Sequence, residues 1–582
     1  MSLQETPTRR AVTPAQPARR NRRFPAFHVL AWLLVLAAAA GIIYPLVRLV
    51  QSLFFVDGRP TADPFRQAFT MAGIGGAIAN TVLVVGCGTL LALIAGCAFA
   101  WLNERTDARL GWLAKVLPLV PLLVPPLAGA VGWLFLLEPQ SGVLNVALRS
   151  ALAHLGLNLA NGPINILTLP GLIFLYGLIL MPYCYLPVAN ALSQVDPALD
   201  EASRVSGARP FRTALRVSLP AVKPAIAVGG LQAAMIGFAT LSIPLIIGTP
   251  AGIGILSVVI YRLLEVSYPP QVGAATALGC VVLVIILALA AVQRRIVRSQ
   301  AYSRTVNRNT TSRPIRLGAW RPVARAAMWC FILVAAVLPL AGLVYMSLQP
   351  FWTSKLSLAH LSFDNYQNIF AAGQSTAQGL RDSLVLGAVG ALIAILAGTV
   401  IAMFVAGRPG VVSRGVERIV SLPGTISHLI LAVGFLAAFA GAPFYLGNTF
   451  TLLLLAYVIL FLPLAYFSAA AAHASIPPEL LEASSIAGIG PGGTFRRVLL
   501  PLMSVPLVGG VITVFVLIVG EFTASVLLAG TGTPVIGFTI IGLYNAGSFP
   551  EVAALGVLMT LVTMVVAGSL ILISGRRTNA TG

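Results

Sequence analysis

Side chains that could carry acid–base or metal chemistry are few in this chain. The clearest ionisable residue within an apolar run is Glu521, in the segment Leu517-Ile-Val-Gly-Glu-Phe-Thr-Ala-Ser525. A charge in the middle of a bilayer is costly unless it is paired or faces water. We therefore expect Glu521 either to line a path through the membrane or to hold an interface between spans. The alternative is a protonated side chain packed against a neighbouring helix.

Histidines and cysteines give no sign of a metal or catalytic centre. The five histidines are scattered, and none pairs with another at a spacing of three or four residues. The five cysteines all sit inside apolar runs without a C-x-x-C spacing, which favours small packing residues over disulfides or metal ligands. No nucleophile stands beside a base. The sequence predicts no catalytic residue and no metal site.

A polar loop occurs twice, at 196–220 and at 477–501. The matching residues are all 281 positions apart without a gap, which makes chance an unsatisfactory explanation. The pairs are Pro197/Pro478, Glu201/Glu482, Ala202/Ala483, Ser203/Ser484, Gly207/Gly488, Arg216/Arg497, Leu219/Leu500 and Pro220/Pro501.

Each loop is expected to contain a helix of about ten residues, because Asp196 suits an N-cap and Gly207 suits a left-handed end. One face of each helix is narrow and mostly apolar, formed by Leu199, Ala202, Val205 and Ser206 and by Leu480, Ala483, Ile486 and Ala487. So short a helix is marginal in water and needs a surface. A groove on a partner protein would provide one; lipid headgroups or neighbouring loops are the alternative.

The elements that carry these loops are membrane spans. The 582 residues are 58% hydrophobic and only 9% charged, with a mean hydropathy of +0.92, which excludes a soluble globule and a disordered chain. Continuous apolar runs predict an all-α polytopic membrane protein with about twelve transmembrane helices in two homologous six-helix halves, each with a short loop helix. The predicted spans are 28–50, 71–101, 112–137, 164–190, 219–247, 272–292, 326–348, 381–406, 418–440, 449–472, 501–529 and 552–574.

The basic residues set the expected orientation. Placing the amino terminus inside puts about 30 of the 37 Lys and Arg residues on the inner side. Both termini are therefore expected to be cytoplasmic. The net charge of +20 is explained by headgroup anchoring at the lipid bilayer, and a nucleic-acid partner is not needed.

The same pattern divides the chain. Residues 1–27 are expected to be a disordered basic cytoplasmic tail, 28–292 the first half, 293–325 a polar cytoplasmic linker, 326–574 the second half, and 575–582 a cytoplasmic tail.

The repeated pattern E-A-S-x-x-x-G, followed about a dozen residues later by L-P, resembles the EAA loop of bacterial ABC importer permeases. Two copies in one chain resemble the fused permeases of the ferric-iron, thiamine and 2-aminoethylphosphonate group. The resemblance implies a multi-pass protein of the bacterial cytoplasmic (inner) membrane. It also implies a homodimeric cytoplasmic ABC ATPase as one partner and a periplasmic or extracellular solute-binding protein as the other.

By the same resemblance, the two loop helices are coupling helices that insert into the ATPase. The coupling residues would be Leu199, Glu201, Ala202, Val205 and Gly207 in the first half, and Leu480, Glu482, Ala483, Ile486 and Gly488 in the second. The chain contains no Gly-Lys dipeptide and hence no phosphate loop of the type G-x-x-x-x-G-K-[S/T]. ATP and Mg²⁺ are therefore expected in the partner, no cofactor is expected here, and the chain is not expected to be an enzyme.

Four residues are candidates for the translocation path. Glu521 is the first, and Thr240 occupies the same place 281 positions earlier. Related permeases often have an acidic residue there, so the first half departs from the pattern and an acidic pair is in doubt. Asn80 and Asp382 occupy similar places near the outer starts of the second and eighth spans; helix capping is the alternative role.

The cargo is not encoded in a recognisable residue. Ferric iron is the first expectation from the family, and 2-aminoethylphosphonate, thiamine or a polyamine are the alternatives. An ion-coupled secondary transporter, which also often has two related halves, is the alternative function. It would need more charges within the membrane than this chain offers.

Overall fold

The structure is a computed structural model that describes residues 25–56, 59–110, 124–196, 198–301, 314–353, 360–371, 375–408, 410–489 and 491–578. Residues 1–24 of the predicted amino-terminal tail and 579–582 of the carboxy-terminal tail lie outside these ranges. The described residues are almost all helical. The only strands among them are β1 (Phe55–Val56) and β2 (Arg59–Pro60), an antiparallel hairpin.

The helices of the first half are long and apolar where they can cross a membrane, and short where they connect. They are α1 (Pro25–Phe54), α2 (Asp63–Thr70), α3 (Ile74–Arg105), α4 (Pro126–Leu137), α5 (Val143–His154), α6 (Leu169–Leu192), α7 (Ala198–Val205), α8 (Pro210–Thr213), α9 (Leu219–Ala221), α10 (Lys223–Ala239), α11 (Leu256–Glu265) and α12 (Val272–Ala301), with π-helical turns at Ala214–Ser218 and Pro244–Gly248.

The second half repeats this order. Its helices are α13 (Trp320–Ile332), α14 (Leu338–Ser347), α15 (Asp364–Phe370), α16 (Ser375–Ala406), α17 (Val411–Ser421), α18 (His428–Phe435), α19 (Phe450–Ala474), α20 (Pro478–Ile486), α21 (Pro491–Thr494), α22 (Leu500–Val519), α23 (Thr523–Leu528), α24 (Ile536–Asn545) and α25 (Phe549–Thr578). Irregular turns are the π-helical Leu333–Val337, Leu436–Ala440 and Phe495–Leu499 and the 3₁₀ turn Pro423–Thr425.

The prediction of an all-α polytopic membrane protein is confirmed, but the spans are less uniform than predicted. In the described part of the chain, nine helices are long and apolar enough to cross a membrane, or ten if the pair bent by 77° around Val222 is one span. Residues 112–123 of the predicted third span, 112–137, lie outside the described residues, and its described part contains α4. The predicted ninth span, 418–440, is divided among α17, the turn at Pro423 and α18, because proline cannot continue the helical hydrogen-bond ladder.

Each half contains the same close contact between two of its helices. A Cβ atom on Gly96 of α3 would lie 3.0 Å from the Cβ atom of Cys184 on α6, and one on Gly398 of α16 would lie 2.8 Å from the backbone carbon of Ala465 on α19. Cys184 and Ala465 are 281 positions apart, like the residues of the repeated loops. Small residues let the backbones of membrane helices approach closely, so both halves are built on the same packed pair.

The first span of each half packs against the other half. Ala31, Val35 and Ala38 of α1 lie in one buried cluster with Ile401 of α16 and Tyr466 of α19. Reciprocally, a Cβ atom on Gly342 of α14 would lie 2.8 Å from Leu136 of α4. The halves are therefore interlocked by apolar packing.

The described end of the predicted linker is part of the fold. Ile315 forms a parallel bridge with Thr106, immediately after α3. Its N–H donates to the Arg105 carbonyl oxygen at 2.8 Å, and its carbonyl oxygen accepts from the Asp107 N–H at 3.1 Å. The start of the second half is thus fastened to a loop of the first.

Candidate functional site: the repeated loop helices and a buried ion pair

The repeated loops fold into the predicted short helices, α7 of eight residues and α20 of nine. Asp196 Oδ1 accepts a hydrogen bond from the Ala198 N–H at 2.9 Å, so it caps the start of α7 as expected. Helix α20 begins after Pro477, with Pro478 in its first turn, where the missing N–H of proline costs nothing.

Both helices end as the sequence predicts. Gly207 has a φ angle of 79° and Gly488 one of 71°, the left-handed conformation that favours glycine. The chain then turns into α8 and α21. Ser203 Oγ lies 2.9 Å from Thr213 Oγ1 in the first loop, and Ser484 Oγ lies 2.7 Å from Thr494 Oγ1 in the second. The same hydroxyl pair closes each loop, again 281 positions apart.

The predicted apolar face of each helix is exposed. Val205 is 90% exposed and its equivalent Ile486 is 86% exposed, while Leu199 and Leu480 are 49% and 43% exposed. Their neighbours Glu201, Ala202, Glu482 and Ala483 are also exposed. The same large apolar position is thus almost fully exposed in both repeats, which makes the two helix faces candidates for a surface that a partner covers.

Glu521 lies in a break between two helices, at the junction of α22 and α23. Its Oε1 accepts the N–H of Ala524, in the first turn of α23, at 2.9 Å. Its Oε2 lies 2.7 Å from Nδ1 of His428, the first residue of α18. A helix start and a histidine thus both face this carboxylate, an arrangement that stabilises its negative charge.

This pair lies at mid-depth of the helix bundle. The ring of Phe461, close to the middle residue of the 25-residue helix α19, meets the His428 ring edge-on at a centroid distance of 5.6 Å. The Glu521 side chain is only 8% exposed and that of His428 is 35% exposed. The carboxylate is therefore buried, whereas the imidazole is partly exposed.

Two of the other three path candidates have hydrogen-bond partners of their own, and the third is half-buried. Thr240 Oγ1 donates to the Ile236 carbonyl oxygen of its own helix at 2.8 Å. Asn80 Nδ2 donates to the Gly254 carbonyl oxygen at 3.2 Å and lines a cavity of about 370 Å³ at the start of α3. Asp382 is half-buried on α16. The structure does not unite these residues with Glu521 in one site.

The residues that follow Asn80 and Asp382 have a clearer role. Thr81 Oγ1 accepts the N–H of Leu256, the first residue of α11, at 2.9 Å. Ser383 Oγ accepts the N–H of Ile536, the first residue of α24, at 2.8 Å. Each hydroxyl caps the start of a helix distant in sequence, so capping does occur here, across two elements.

Comparison with known families accounts for the repeat. The chain matches the family described as "Binding-protein-dependent transport system inner membrane component" twice, over residues 88–302 and 390–580, which together cover more than half of its length. The chain belongs to this family. The permease carries two copies of the family's domain, and each copy contains one of the repeated loop helices.

Curated relatives of the permease are transport proteins. It is 23% identical over 530 residues to the "Ferric transport system permease protein FbpB" of Actinobacillus pleuropneumoniae, covering 90% of this chain and 75% of that protein. It is 25% identical over 569 residues to the "Probable ABC transporter permease protein y4fN" of Sinorhizobium fredii, covering 94% and 95%. It is 24% identical over 249 residues to the "Putative 2-aminoethylphosphonate transport system permease protein PhnV" of Salmonella paratyphi A, covering 42% and 93%.

A solved structure also overlaps part of the permease. It is described as "Crystal structure of bacterial alginate ABC transporter in complex with alginate pentasaccharide-bound periplasmic protein". One chain of that structure is 19% identical to the permease. The overlap covers 45% of the permease and 98% of that chain, with a TM-score of 0.35.

Sequence reasoning missed His428. Short sequence spacings give no sign of its partner, because His428 and Glu521 are 93 positions apart. One signal was available: His428 follows Pro423 in the interrupted ninth span, and Glu521 follows Gly520 in the eleventh. Polar residues next to helix breaks within apolar runs are candidates for pairing across the bundle.

Proposed function

We propose that this permease is the membrane subunit of an ATP-driven importer, and that α7 and α20 each dock into one copy of a homodimeric cytoplasmic ABC ATPase. One observation carries this proposal: Val205 and Ile486, at equivalent positions of two repeats, are almost fully exposed on short helices. Burial of such side chains in a partner groove is favourable, and two matched helices suit a partner with two equivalent subunits.

In this proposal the docking helices transmit force. ATP and Mg²⁺ would be held by the partner. Closure of the ATPase dimer would move α7 and α20 and, through them, α10 and α22, which follow each loop. Both termini would be cytoplasmic, and a solute-binding protein would deliver cargo at the opposite face. The left-handed Gly207 and Gly488 would fix the exit direction of each docking helix.

The path would run between the interlocked halves. His428, with its partly open imidazole, and Glu521 would face the path from the second half only, because the equivalent place in the first half is occupied by Thr240. Ferric iron is the cargo we propose first, supported by the relatives named as ferric permeases, and 2-aminoethylphosphonate is second, supported by the relatives of that name.

The test is loss of docking on changing the two exposed apolar residues. We expect the double variant Val205→Asp and Ile486→Asp to lose co-purification with the ATPase and ATP-driven uptake, because a carboxylate cannot be buried in an apolar groove without a partner. The matched control is Val411→Asp on α17, where the valine is 78% exposed but lies outside the loops. Normal docking in the double variant, or equal loss in the control, would overturn the proposal.

A second arm separates the importer from an ion-coupled carrier. Proteoliposomes that contain the permease and its ATPase should take up cargo from its solute-binding protein when ATP is supplied on the ATPase side and the ion gradients are dissipated. Uptake that follows an ion gradient without ATP would instead favour the carrier.

A further inference from the structure

The first docking helix, α7, is fixed to the membrane helices by a buried charge network. Asp200 of α7 is only 5% exposed. Its Oδ2 lies 2.8 Å from Nε and 2.7 Å from Nη2 of Arg105, the last residue of α3. Its Oδ1 accepts a hydrogen bond from Ser218 Oγ at 2.9 Å. Asp200 thus bonds on both oxygens, on the side of α7 away from the exposed Val205.

Arg105 joins three parts of the chain. Its guanidinium holds Asp200 and also donates from Nη1 to the Val195 carbonyl oxygen, just before α7, at 3.1 Å. Its backbone carbonyl oxygen accepts the Ile315 N–H from the segment between the two halves. Arg105, Ile315 and Asp200 are all buried. A single residue therefore connects α3, the first docking helix and the inter-half segment.

The inter-half segment is secured at several further points. The Leu317 N–H donates to Asp107 Oδ1 at 3.0 Å. Arg325 Nε, on α13, donates to the Ala108 carbonyl oxygen at 3.2 Å. Residues 314–325 therefore form a structural strip along the loop after α3.

The second docking helix, α20, is held by different chemistry. The residues 281 positions after Asp200 and Ser218 are Leu481 and Leu499. They pack with Ile476, Met503 and Ala472 in a small buried apolar cluster. By the spacing of 302 that relates Gly96 to Gly398, the equivalent of Arg105 is Gly407, which has no side chain to pair. The polar contact of the first half has been replaced by an apolar one.

We infer that Arg105 is a positioning residue for the first docking helix. Residues 314–325 help to hold that helix in place and do not hold α20. The functional consequence rests on the docking role proposed above. Charged hydrogen bonds are directional and fix the orientation of α7 relative to α3. Apolar packing is non-directional and leaves α20 free to tilt. The two docking helices are therefore attached with unequal stiffness, and the connection between the halves controls one of them.

The first experiment measures how firmly α7 and α20 are held when the ATPase is absent. Nitroxide labels are placed on cysteines substituted for Ser206 or, as the matched control, for Ala487, which are exposed equivalents. The full chain is studied in nanodiscs with its exposed native cysteines, Cys87 and Cys330, replaced by serine. Arg105→Met should increase label mobility at Ser206 and leave Ala487 unchanged. Leu481→Ala with Leu499→Ala should produce the reverse pattern.

The role of the inter-half segment is tested by Ile315→Pro, which removes the N–H that bonds Arg105. It should loosen the label at Ser206 only, whereas Arg316→Ala, at an exposed neighbour, should change neither label. A triple variant, Arg105→Met with Asp200→Leu and Ser218→Leu, copies the apolar contact and should lower the label mobility at Ser206 from the Arg105→Met level to the level seen at Ala487 in the wild-type chain. Unchanged mobility at Ser206 in both Arg105→Met and Ile315→Pro would overturn the inference, as would equal loosening at both sites.

Failure of the inference can be told from failure of the proposed function. If the labels respond as expected but the wild-type chain binds no ATPase, the positioning role of Arg105 is supported and the docking role is refuted. If the ATPase binds but Arg105→Met and Ile315→Pro leave the labels unchanged, the docking role is supported and the positioning role of Arg105 is refuted. When both hold, Arg105→Met should lower permease-stimulated ATP hydrolysis severalfold while docking through α20 persists.

Discussion

Nδ1 of His428 lies 2.7 Å from Oε2 of Glu521, and this contact joins two interrupted spans at mid-depth of the second half. His428 begins α18 after the turn at Pro423, and Glu521 precedes α23 after the end of α22. The backbone at both breaks lacks its regular helical hydrogen bonds. The contact holds the two breaks against each other in a region where unpaired backbone groups are costly.

This pair should behave as a unit in a double-mutant cycle. Removing one partner leaves the other without its hydrogen bond, so Glu521→Gln and His428→Phe should each destabilise the permease by about 1–3 kcal/mol. The combined variant should lose less than the sum of the two. The measurement is thermal unfolding of the purified chain in detergent.

The control for this cycle is Glu551→Gln, a half-buried carboxylate near the start of α25. It should shift the melting temperature little and add independently to His428→Phe. Strict additivity of Glu521→Gln and His428→Phe would contradict a stabilising contact between them.

The two caps between distant helices should be equivalent. Thr81→Val and Ser383→Ala each remove a hydroxyl that accepts the first N–H of a short helix. Each loss should cost about 1 kcal/mol, and hydrogen exchange should become faster at Leu256 and Ile536 respectively. Thr81→Ser keeps the hydroxyl and should leave exchange at Leu256 unchanged; protection that survives Thr81→Val would show that the cap contributes nothing.

The glycines that end α7 and α20 should be replaceable only by residues that accept a left-handed backbone. A Cβ atom on Gly207 or Gly488 would meet no atom within 4 Å, so the cost of substitution is conformational and not steric. Gly207→Val should disturb the helix end by about 1–2 kcal/mol and reduce ATPase docking. Gly207→Asn, which tolerates this conformation, should retain it, and equal docking by both variants would speak against the requirement.

The packed helix pairs should tolerate no side chain at their closest points. Gly96→Leu and Gly398→Leu would force α3 from α6 and α16 from α19, because atoms of the opposing helix lie within about 3 Å of the position that a Cβ atom would take. Both should lower the yield of folded protein, as judged by monodisperse elution. Gly86→Leu, on the same helix α3 but facing open space, is the matched control and should elute normally.

Much of the fold could be predicted because its signals are local. Apolar runs predict membrane helices, since backbone groups in lipid must bond within their own segment. The short loop helices were predictable from residues such as Asp196 and Gly207, whose conformational preferences act over a few residues. The repeat was visible because equivalent residues keep one spacing. The breaks in the ninth and eleventh spans were less predictable, since a proline or glycine within a span can equally well be absorbed as a bend.

The sequence by itself determined the class of molecule, the two halves and the narrow apolar face of each loop helix, which includes Val205 in one and Ile486 in the other. Only the tertiary structure decided which residues attach each loop helix to the rest of the fold. Asp200 and Leu481 occupy the same place in the repeat, yet one binds Arg105 from a helix 95 positions away and the other joins an apolar cluster. His428 and Glu521 likewise meet only because two interrupted spans pack together. The physical reason is that an ion pair or a packed cluster depends on distance in space, which the order of residues along the chain does not specify.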